Sequence, residues 1–122
     1  MWDLETAEIL HEKGRFNAAA FYPQQAAEKA VKSLLYKLNE AAWGDSVREL
    51  LYRYFDKVKK EPDEKLSTCA RELDRHYIPA RYPNAHPSGT PHEAYDSETS
   101  ERAIRCAKLI IDFVRRVLYG EN

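Results

Sequence analysis

The segment AIRCAKLIIDFVRRVL, residues 103–118, is the clearest indication of fold class in this chain of 122 residues. Its apolar side chains recur every three or four residues, which makes one face of an α-helix apolar. Asp96 or Ser97 is the expected N-cap, and Gly120 is a natural terminator. The segment therefore predicts a long final helix over about residues 97–119. Its inward positions are Ala103, Ile104, Ala107, Ile110, Ile111, Val114, Val117 and Leu118.

The same periodicity appears in two segments near the start of the chain. Apolar residues spaced by three and four predict a helix over about residues 16–38, with Pro23 inside it. An interior proline removes one backbone hydrogen bond, so we expect either a kink near Phe21 or a later start of this helix. A shorter pattern predicts a first helix over about residues 2–13, and Gly14 ends it.

Two more helices are predicted between these segments and the last one. Ser46 followed by Glu49 has the order of a capping box, which predicts a helix that starts at this serine and ends before Pro62. The next helix is expected to begin near Pro62 and Asp63, because proline is tolerated in a first helical turn. It ends before Pro79, since the residue before a proline disfavours helix. No strand pattern competes, so the chain is predicted to be an all-α antiparallel bundle of four to five helices.

The composition fits a single helical domain over residues 1–122, with 43% hydrophobic and 32% charged residues. A formal net charge of −1 excludes the strongly basic balance of a dedicated nucleic-acid binder, although a local patch can still bind phosphate. The start of the chain has no signal-like segment, and no apolar run is long enough to span a membrane. These features predict a cytoplasmic protein without a membrane partner.

Several residues that could carry chemistry are given structural interpretations. Cys69 and Cys106 are interpreted as small buried hydrophobes, because each falls in an apolar helical pattern and their spacing fits no metal motif. Two cysteines are too few for a disulfide scaffold, although a single disulfide between them stays open. His86 and His92 lack the spacing of metal ligands, so we expect no metal and no cofactor. Trp43 precedes the capped helix and is interpreted as a hydrophobic anchor for that connection.

Residues 78–96 are predicted to form a long proline-rich loop before the last helix. A loop of this length in a small domain is usually either functional or disordered, and the composition leaves both alternatives open. The corner where it begins, Tyr77–Pro83, combines two tyrosines, an arginine and two prolines. Tyrosine offers an apolar ring with a polar tip, and arginine a planar charged fork, so this corner is the first place to expect a site.

Two segments together resemble the HEPN family (higher eukaryotes and prokaryotes nucleotide-binding domain). They are QQAAEKAVK at residues 24–32 and LDRHYIPARYP at residues 73–83, and the resemblance covers nearly the whole chain. It implies an all-α bundle that is often a homodimer, in a small prokaryotic protein commonly encoded beside a minimal nucleotidyltransferase. Such pairs look like toxin–antitoxin or nucleotide-modifying modules. Gly44 and Asp45 stand where many relatives have a histidine, and Pro23 also departs from the family pattern.

Some branches of the family are ribonucleases with an arginine, a polar residue after it, and a histidine four to six residues on. RNA cleavage needs a group that moves a proton and a cation near the phosphorane. Arg71 with His76, and Arg81 with His86, have loosely suitable spacing, but an acidic residue follows the first arginine and an aromatic one the second. The catalytic candidates are therefore weak. They are Arg75, His76, Arg81 and His86.

Binding without catalysis is the favoured hypothesis for the corner and for the predicted helix over residues 16–38. An arginine can hold a phosphate through two hydrogen bonds, a tyrosine can stack on a base, and lysines one turn apart extend a polar stripe. In the structural alternative, Arg81 instead pairs with Glu28 or Asp74 and fixes the loop to the bundle. Both alternatives stay open. The predicted ligand-binding residues are Gln25, Lys29, Lys32, Tyr77, Arg81 and Tyr82.

The leading hypothesis is a nucleotide- or RNA-phosphate-binding protein that acts as a homodimer with a nucleotidyltransferase partner. The first alternative is a metal-independent ribonuclease toxin. The second is a scaffold subunit that only covers the surface of a partner.

Overall fold

A computed structural model describes residues 2–14, 16–77 and 97–120. Within these ranges the chain forms helices and no strand, as the sequence predicts. The predicted loop over residues 78–96 lies outside the described part. The five helices are α1 (Trp2–Glu12), α2 (Phe16–Lys37), α3 (Val47–Val58), α4 (Glu64–Asp74) and α5 (Ser97–Tyr119).

Helices α2 and α5 run in the same direction, and α1 runs against them. Gly14, with a positive φ of 76°, makes the turn from α1 into α2. Near this turn, His11 hydrogen bonds with Ser100 at the start of α5. At the other end, Lys37 Nζ donates to the carbonyl oxygen of Leu118, 3.1 Å away, so the last turns of α2 and α5 also lie together.

Helices α3 and α4 form an antiparallel pair that packs against α2 and α5. Lys59 ends α3 in the left-handed conformation, and a short connection leads to α4. The last residue of α4, Asp74, lies against the first turn of α3. This pair therefore places the end of α4 beside the N-terminus of α3.

The core is lined by the apolar faces of all five helices. Small residues let the helices of the bundle approach closely, and Ala19, Ala20, Ala26 and Ala27 on α2 have no exposed surface. Near the C-terminal end of α3, Tyr54, Phe55 and Phe113 form an aromatic cluster. The largest fully buried side chains include Leu34, Leu35, Leu50, Leu73 and Ile110.

The predicted helix starts are partly corrected. The predicted start of α3 is confirmed, because Ser46 is the N-cap and its hydroxyl oxygen accepts from the amide of Glu49 at 3.1 Å. Helix α2 begins at Phe16 and continues through Pro23, so the alternative of a later start is wrong. A single proline removes only one amide donor, which a helix of this length tolerates when it is packed in the bundle.

The predicted ends of α4 are also corrected. Asp63 is the N-cap, and its carboxylate accepts from the amides of Lys65 and Leu66 at 2.8 and 3.2 Å. Pro62 therefore precedes the cap instead of occupying the first turn, because the carboxylate supplies the acceptor that starts the helix. The helix ends at Asp74, earlier than the proline signal at Pro79 suggests.

Trp43 does not belong to the core, because 68% of its surface is exposed. The guanidinium carbon of Arg53 lies 4.2 Å from its ring centroid, and Nη2 of Arg53 donates to the Trp43 carbonyl at 2.9 Å. Arg53 thus holds this connection through the face of the indole and the backbone. The interpretation of Trp43 as a hydrophobic anchor is therefore corrected, since a cation rather than burial in the core holds it.

Cys69 and Cys106 are free thiols that pack half-buried against the core. They lie on α4 and α5, and burial raises the pKa of the Cys106 thiol, with its hydrogen bond to Cys69 as the next cause. Both residues therefore act as small packing residues, although neither is fully buried as the sequence suggested.

Candidate functional site

The motif on α2 is tied to the segment before α3 through Gln24. This side chain has no exposed surface, and its Nε2 donates to the carbonyl oxygen of Asp45 at 2.9 Å. Gln25 Nε2 donates to Gln24 Oε1 at 2.6 Å. A buried amide must satisfy its donors and acceptors, so these bonds fix the position of Gln24.

The motif at the end of α4 is tied to the same place through Asp74. Its Oδ1 accepts from the amide of Val47 at 2.7 Å. Its Oδ2 accepts from the Ser46 hydroxyl at 2.7 Å and from the amide of Arg48 at 3.2 Å. A carboxylate is the preferred partner for the positive end of a helix dipole. The N-terminus of α3 is therefore already occupied by an internal anion.

The polar stripe on α2 includes an ion pair that the sequence did not predict. Glu28 is 7% exposed, and its Oε2 lies 3.1 Å from Lys32 Nζ. Its Oε1 accepts from Gln24 Nε2 at 3.4 Å, so Lys32 is linked to the buried amide through this carboxylate. Lys29 is exposed on the same helix, one turn after Gln25.

Tyr77 brings the start of the aromatic corner against α2. It is half-buried, and its ring centroid lies 6.2 Å from that of Phe21. Phe21 is one turn before Gln25, so the ring of Tyr77 lies near the start of the polar stripe. The structure therefore brings Gln25 and Tyr77 to the same region of the bundle. Arg81 and Tyr82 lie outside the described residues.

His76 is buried, with 3% of its surface exposed, and its Nε2 lies 2.9 Å from Glu72 Oε2. Burial lowers the pKa of His76 below its ordinary value of 6.5, while the charge and hydrogen bond of Glu72 oppose this shift. Arg75 and Arg102 repel the protonated imidazole and contribute further to the lower pKa. A histidine in this setting is a neutral base that is shielded from solvent.

Glu72 brings two of the four catalytic candidates together. Arg75 Nη1 lies 3.4 Å from Glu72 Oε1, and the other oxygen of this carboxylate contacts His76. The side chain of Arg75 is 72% exposed, whereas that of Glu72 is 15% exposed. The arginine and the histidine therefore contact one carboxylate from its outer and inner sides. Arg81 and His86 lie outside the described residues and stay predictions.

Sequence reasoning missed three residues of this region. Glu72 precedes His76 by one helical turn, and that spacing could have identified the pair. Arg102 approaches Glu72 from α5, with 3.7 Å between Nε and Oε1, and only the packing of α4 on α5 reveals it. Gln24 belongs to the motif at residues 24–32, but no local pattern indicates that its amide is buried.

The part of the chain that the structure describes has no group of three or more histidine, cysteine, aspartate or glutamate residues that could hold a metal ion. None of the helices within residues 2–14, 16–77 and 97–120 has the length and apolar character needed to cross a membrane.

Comparisons with known proteins agree with the helical bundle. The protein named "Putative toxin MJ1304", from Methanocaldococcus jannaschii, is 27% identical over 124 residues, which cover 95% of this chain and 81% of that protein. The crystal structure of TT1696 from Thermus thermophilus superposes with a TM-score of 0.86 at 37% identity, covering 93% of this chain and 88% of that one.

Two further crystal structures share this architecture. ST0689, described as an archaeal HEPN homologue, has a TM-score of 0.79 at 34% identity and covers 95% of this chain and 88% of its own. An HEPN domain protein from Thermotoga maritima, tm0613, has a TM-score of 0.74 at 38% identity, covering 95% and 90%. The sequence profile of the HEPN domain itself matches residues 1–117. This chain therefore belongs to the HEPN domain family.

Proposed function

We propose that this chain is a nucleotide- or RNA-phosphate-binding protein of a toxin–antitoxin-like module in the cytoplasm. The observation that carries the proposal is the convergence of the two motif segments. Gln24 of the first segment and Asp74 of the second both hydrogen bond to the few residues that start α3, at Asp45 and Ser46. Segments that are fixed together in this way can present side chains to one ligand.

Exposed and half-buried side chains of the two motif segments have the chemistry needed to bind a phosphate and a base. Lys29 is exposed, and Lys32 is held by Glu28 with 23% of its side chain exposed. Tyr77 offers a half-buried ring that a base can stack on. Arg81 and Tyr82 follow within a few residues in sequence, and we propose that they complete the site with a phosphate contact and a second ring.

The relative named as a toxin supports the part of the proposal that places this chain in a toxin–antitoxin-like module. In this proposal the chain forms a homodimer and acts with a small nucleotidyltransferase. The partner either modifies the same nucleotide or restrains the activity of this chain.

Calorimetry with nucleoside mono- and triphosphates tests the binding site. We expect heat of binding for the intact protein and its loss in Lys29→Glu and in Arg81→Ala. Asp112→Ala, an exposed change on α5, is the control that should bind normally. Absence of any heat at millimolar ligand would reject the nucleotide site.

Light scattering and co-purification test the assembly. We expect the mass of a dimer for the isolated protein, and capture of the nucleotidyltransferase when the neighbouring gene encodes one. A monomer at all concentrations together with no capture would reject the module.

A metal-independent ribonuclease is a second candidate, favoured by one observation. Arg75 and His76 contact the same carboxylate, so a cation and a base lie within one cluster. The imidazole is buried, and catalysis would require the end of α4 to open toward the substrate. Cleavage of RNA in EDTA that disappears in His76→Gln and Arg75→Ala would support it. Undiminished cleavage in both variants would remove these residues from the mechanism.

A scaffold role is the third candidate, and one measurement separates it from the others. Reversing the charge at Lys29 and Arg81 should abolish nucleotide binding in the first proposal. In the scaffold proposal the same double variant binds its protein partner normally, and no nucleotide binds to either form.

A further inference from the structure

Four arginines surround the C-terminal turn of α4, although the chain as a whole carries a formal charge of −1. We refer to these arginines, together with the exposed ring of Tyr52, as the arginine face. Three helices contribute to it. Its members are Arg48 and Tyr52 on α3, Arg71 and Arg75 on α4, and Arg102 on α5.

On one side of α4, the arginine face is formed by the start of α3. The amide of Arg48 lies 3.2 Å from Asp74 Oδ2, which places this residue at the end of α4. Its guanidinium carbon is 5.1 Å from the ring centroid of Tyr52. The bonds of Asp74 to the start of α3 hold α4 beside this helix, and the pKa of Tyr52 is lowered, first by its hydrogen bond with Arg48 and also by the charge of Arg71 on α4.

On the other side, Arg75 and Arg102 approach the same oxygen of Glu72. The distances to Oε1 are 3.4 and 3.7 Å, and the two side chains are 72% and 42% exposed. Charge-assisted hydrogen bonds of full strength are about 2.7–2.9 Å long. These longer contacts leave both guanidinium groups able to bind an anion from solvent.

The carboxylates of this region balance only part of the charge of the arginines, because Arg75 and Arg102 share the single carboxylate of Glu72. Glu72 is bound most closely by His76, at 2.9 Å. Asp74 is engaged by the Ser46 hydroxyl and by the amides of Val47 and Arg48. Four guanidinium groups thus share this surface with the carboxylates of Glu72 and Asp74, so this set of residues carries two more positive than negative charges.

The chemistry of the arginine face favours a phosphodiester strand. Arginine holds phosphate through a planar fork of donors, unlike the single point charge of lysine. Tyr52 is 40% exposed, so a base can stack on the ring while neighbouring phosphates pair with arginines. We propose that the arginine face is a docking surface for single-stranded RNA of several nucleotides.

This inference rests on the proposed function and extends it from a phosphate group to a strand. A purely structural alternative is that these arginines stabilise the negative end of the α4 dipole. A second alternative is an acidic segment of a protein partner. Each predicts a different result when RNA binding is measured.

The experiment measures the anisotropy of a labelled RNA of about ten nucleotides, a length within the range of single-strand sites. The test variant is Arg71→Ala with Arg102→Ala. The matched control is Arg115→Ala with Arg116→Ala, which removes the same charge from exposed positions at the far end of α5. Circular dichroism melting checks that both variants fold. If the alanine variant does not fold, Arg71→Lys with Arg102→Lys replaces it, because lysine keeps the charge.

We expect the test variant to weaken RNA binding about tenfold or more, and the control to change it far less. The salt slope should fall by about 0.7 for each lost phosphate contact. The lysine variant should recover only part of the affinity, because it lacks the planar fork. Equal weakening by test and control, or loss of thermal stability without loss of binding, would overturn the inference.

Two parallel titrations separate this inference from the proposed function. If a mononucleotide binds and RNA binds no tighter, the arginine face is rejected as an RNA-docking surface and the nucleotide site stands. If RNA binding depends on these arginines and no mononucleotide binds, the arginine face stands as an RNA-docking surface and the nucleotide site is rejected. If neither binds, both are rejected. If polyglutamate competes with RNA at equal concentration, the surface belongs to an acidic protein.

Discussion

The two ends of α3 are held by different kinds of interaction. At its N-terminus, Ser46 and the first amides of the helix bind Asp74, and Gln24 binds the preceding carbonyl. At its C-terminus, the rings of Phe55 and Phe113 stack with centroids 5.6 Å apart. Apolar contacts therefore hold the C-terminal end of α3 in the bundle. Polar contacts fix the position of its N-terminal end relative to α2 and α4.

We expect the apolar end of α3 to contribute mainly to stability and the polar end to contribute mainly to binding. Apolar packing tolerates substitutions that conserve volume, whereas hydrogen bonds to a buried amide and a capping carboxylate require defined partners. The candidate site and the arginine face both lie at the polar end. Variants at the two ends should therefore separate effects on stability from effects on binding.

The largest effect is expected at the apolar end. Phe55 is 6% exposed, and Phe55→Ala should lower the free energy of unfolding by about 4 kcal/mol. Folded molecules should still bind nucleotide normally, because the polar end is intact. Urea unfolding measures the first effect and calorimetry the second. Tyr36→Ala, at a ring that is 62% exposed, is the control and should change stability by less than about 0.5 kcal/mol.

At the polar end, Asp74→Ala removes the acceptor for one hydroxyl and two amides. We expect a loss of about 3 kcal/mol in urea unfolding, together with weaker nucleotide binding. The matched control is Asp63→Ala, at the exposed cap of α4, which should cost about 1 kcal/mol and leave binding unchanged. Equal effects of the two substitutions would mean that Asp74 is an ordinary cap.

A smaller effect is expected from the protonation of His76. Its pKa is lowered by burial, so the folded protein binds a proton less readily than the unfolded chain, and the unfolding free energy should fall as the pH drops below about 6.5. Glu72→Gln should steepen this fall, because Glu72 favours the protonated imidazole. His76→Gln should flatten it. Urea titrations from about pH 8 to about pH 5 give the three curves, and identical curves would exclude His76 as the titrating group.

The smallest effect concerns chemical reactivity and leaves stability unchanged. Burial raises the pKa of Cys106, so the thiolate is scarce and alkylation by iodoacetamide should be slower than for a small-molecule thiol at about pH 8. Cys69→Ser isolates the reaction at Cys106. Urea should restore a normal rate by unfolding the chain. A fast reaction in the folded protein would show that this thiol is open to solvent.

The sequence predicted the helices well because their signals are local. Apolar spacing identified the full length of α5, and the order of Ser46 and Glu49 located the start of α3. The start of α4 was less well predicted, because both Pro62 and Asp63 are typical of helix starts and only the capping bonds distinguish them.

The candidate site was less predictable, because it depends on contacts between distant segments. The family motifs identified the segments that converge, but no local pattern reveals that Asp74 caps another helix or that Gln24 is buried. Arg102 joins Glu72 only through the packing of α5 on α4. Trp43 was expected to be a hydrophobic anchor, but its side chain is largely exposed and the guanidinium of Arg53 lies over its ring.

The carboxylate of Asp74 also has a consequence for how the protein opens locally. The first turn of a helix ordinarily frays independently and its amides exchange with solvent early. Here the amides of Val47 and Arg48 are bound to the last residue of α4, so α3 cannot fray at this end without releasing α4 as well. The beginning of one helix and the end of the next therefore belong to one cooperative unit of unfolding.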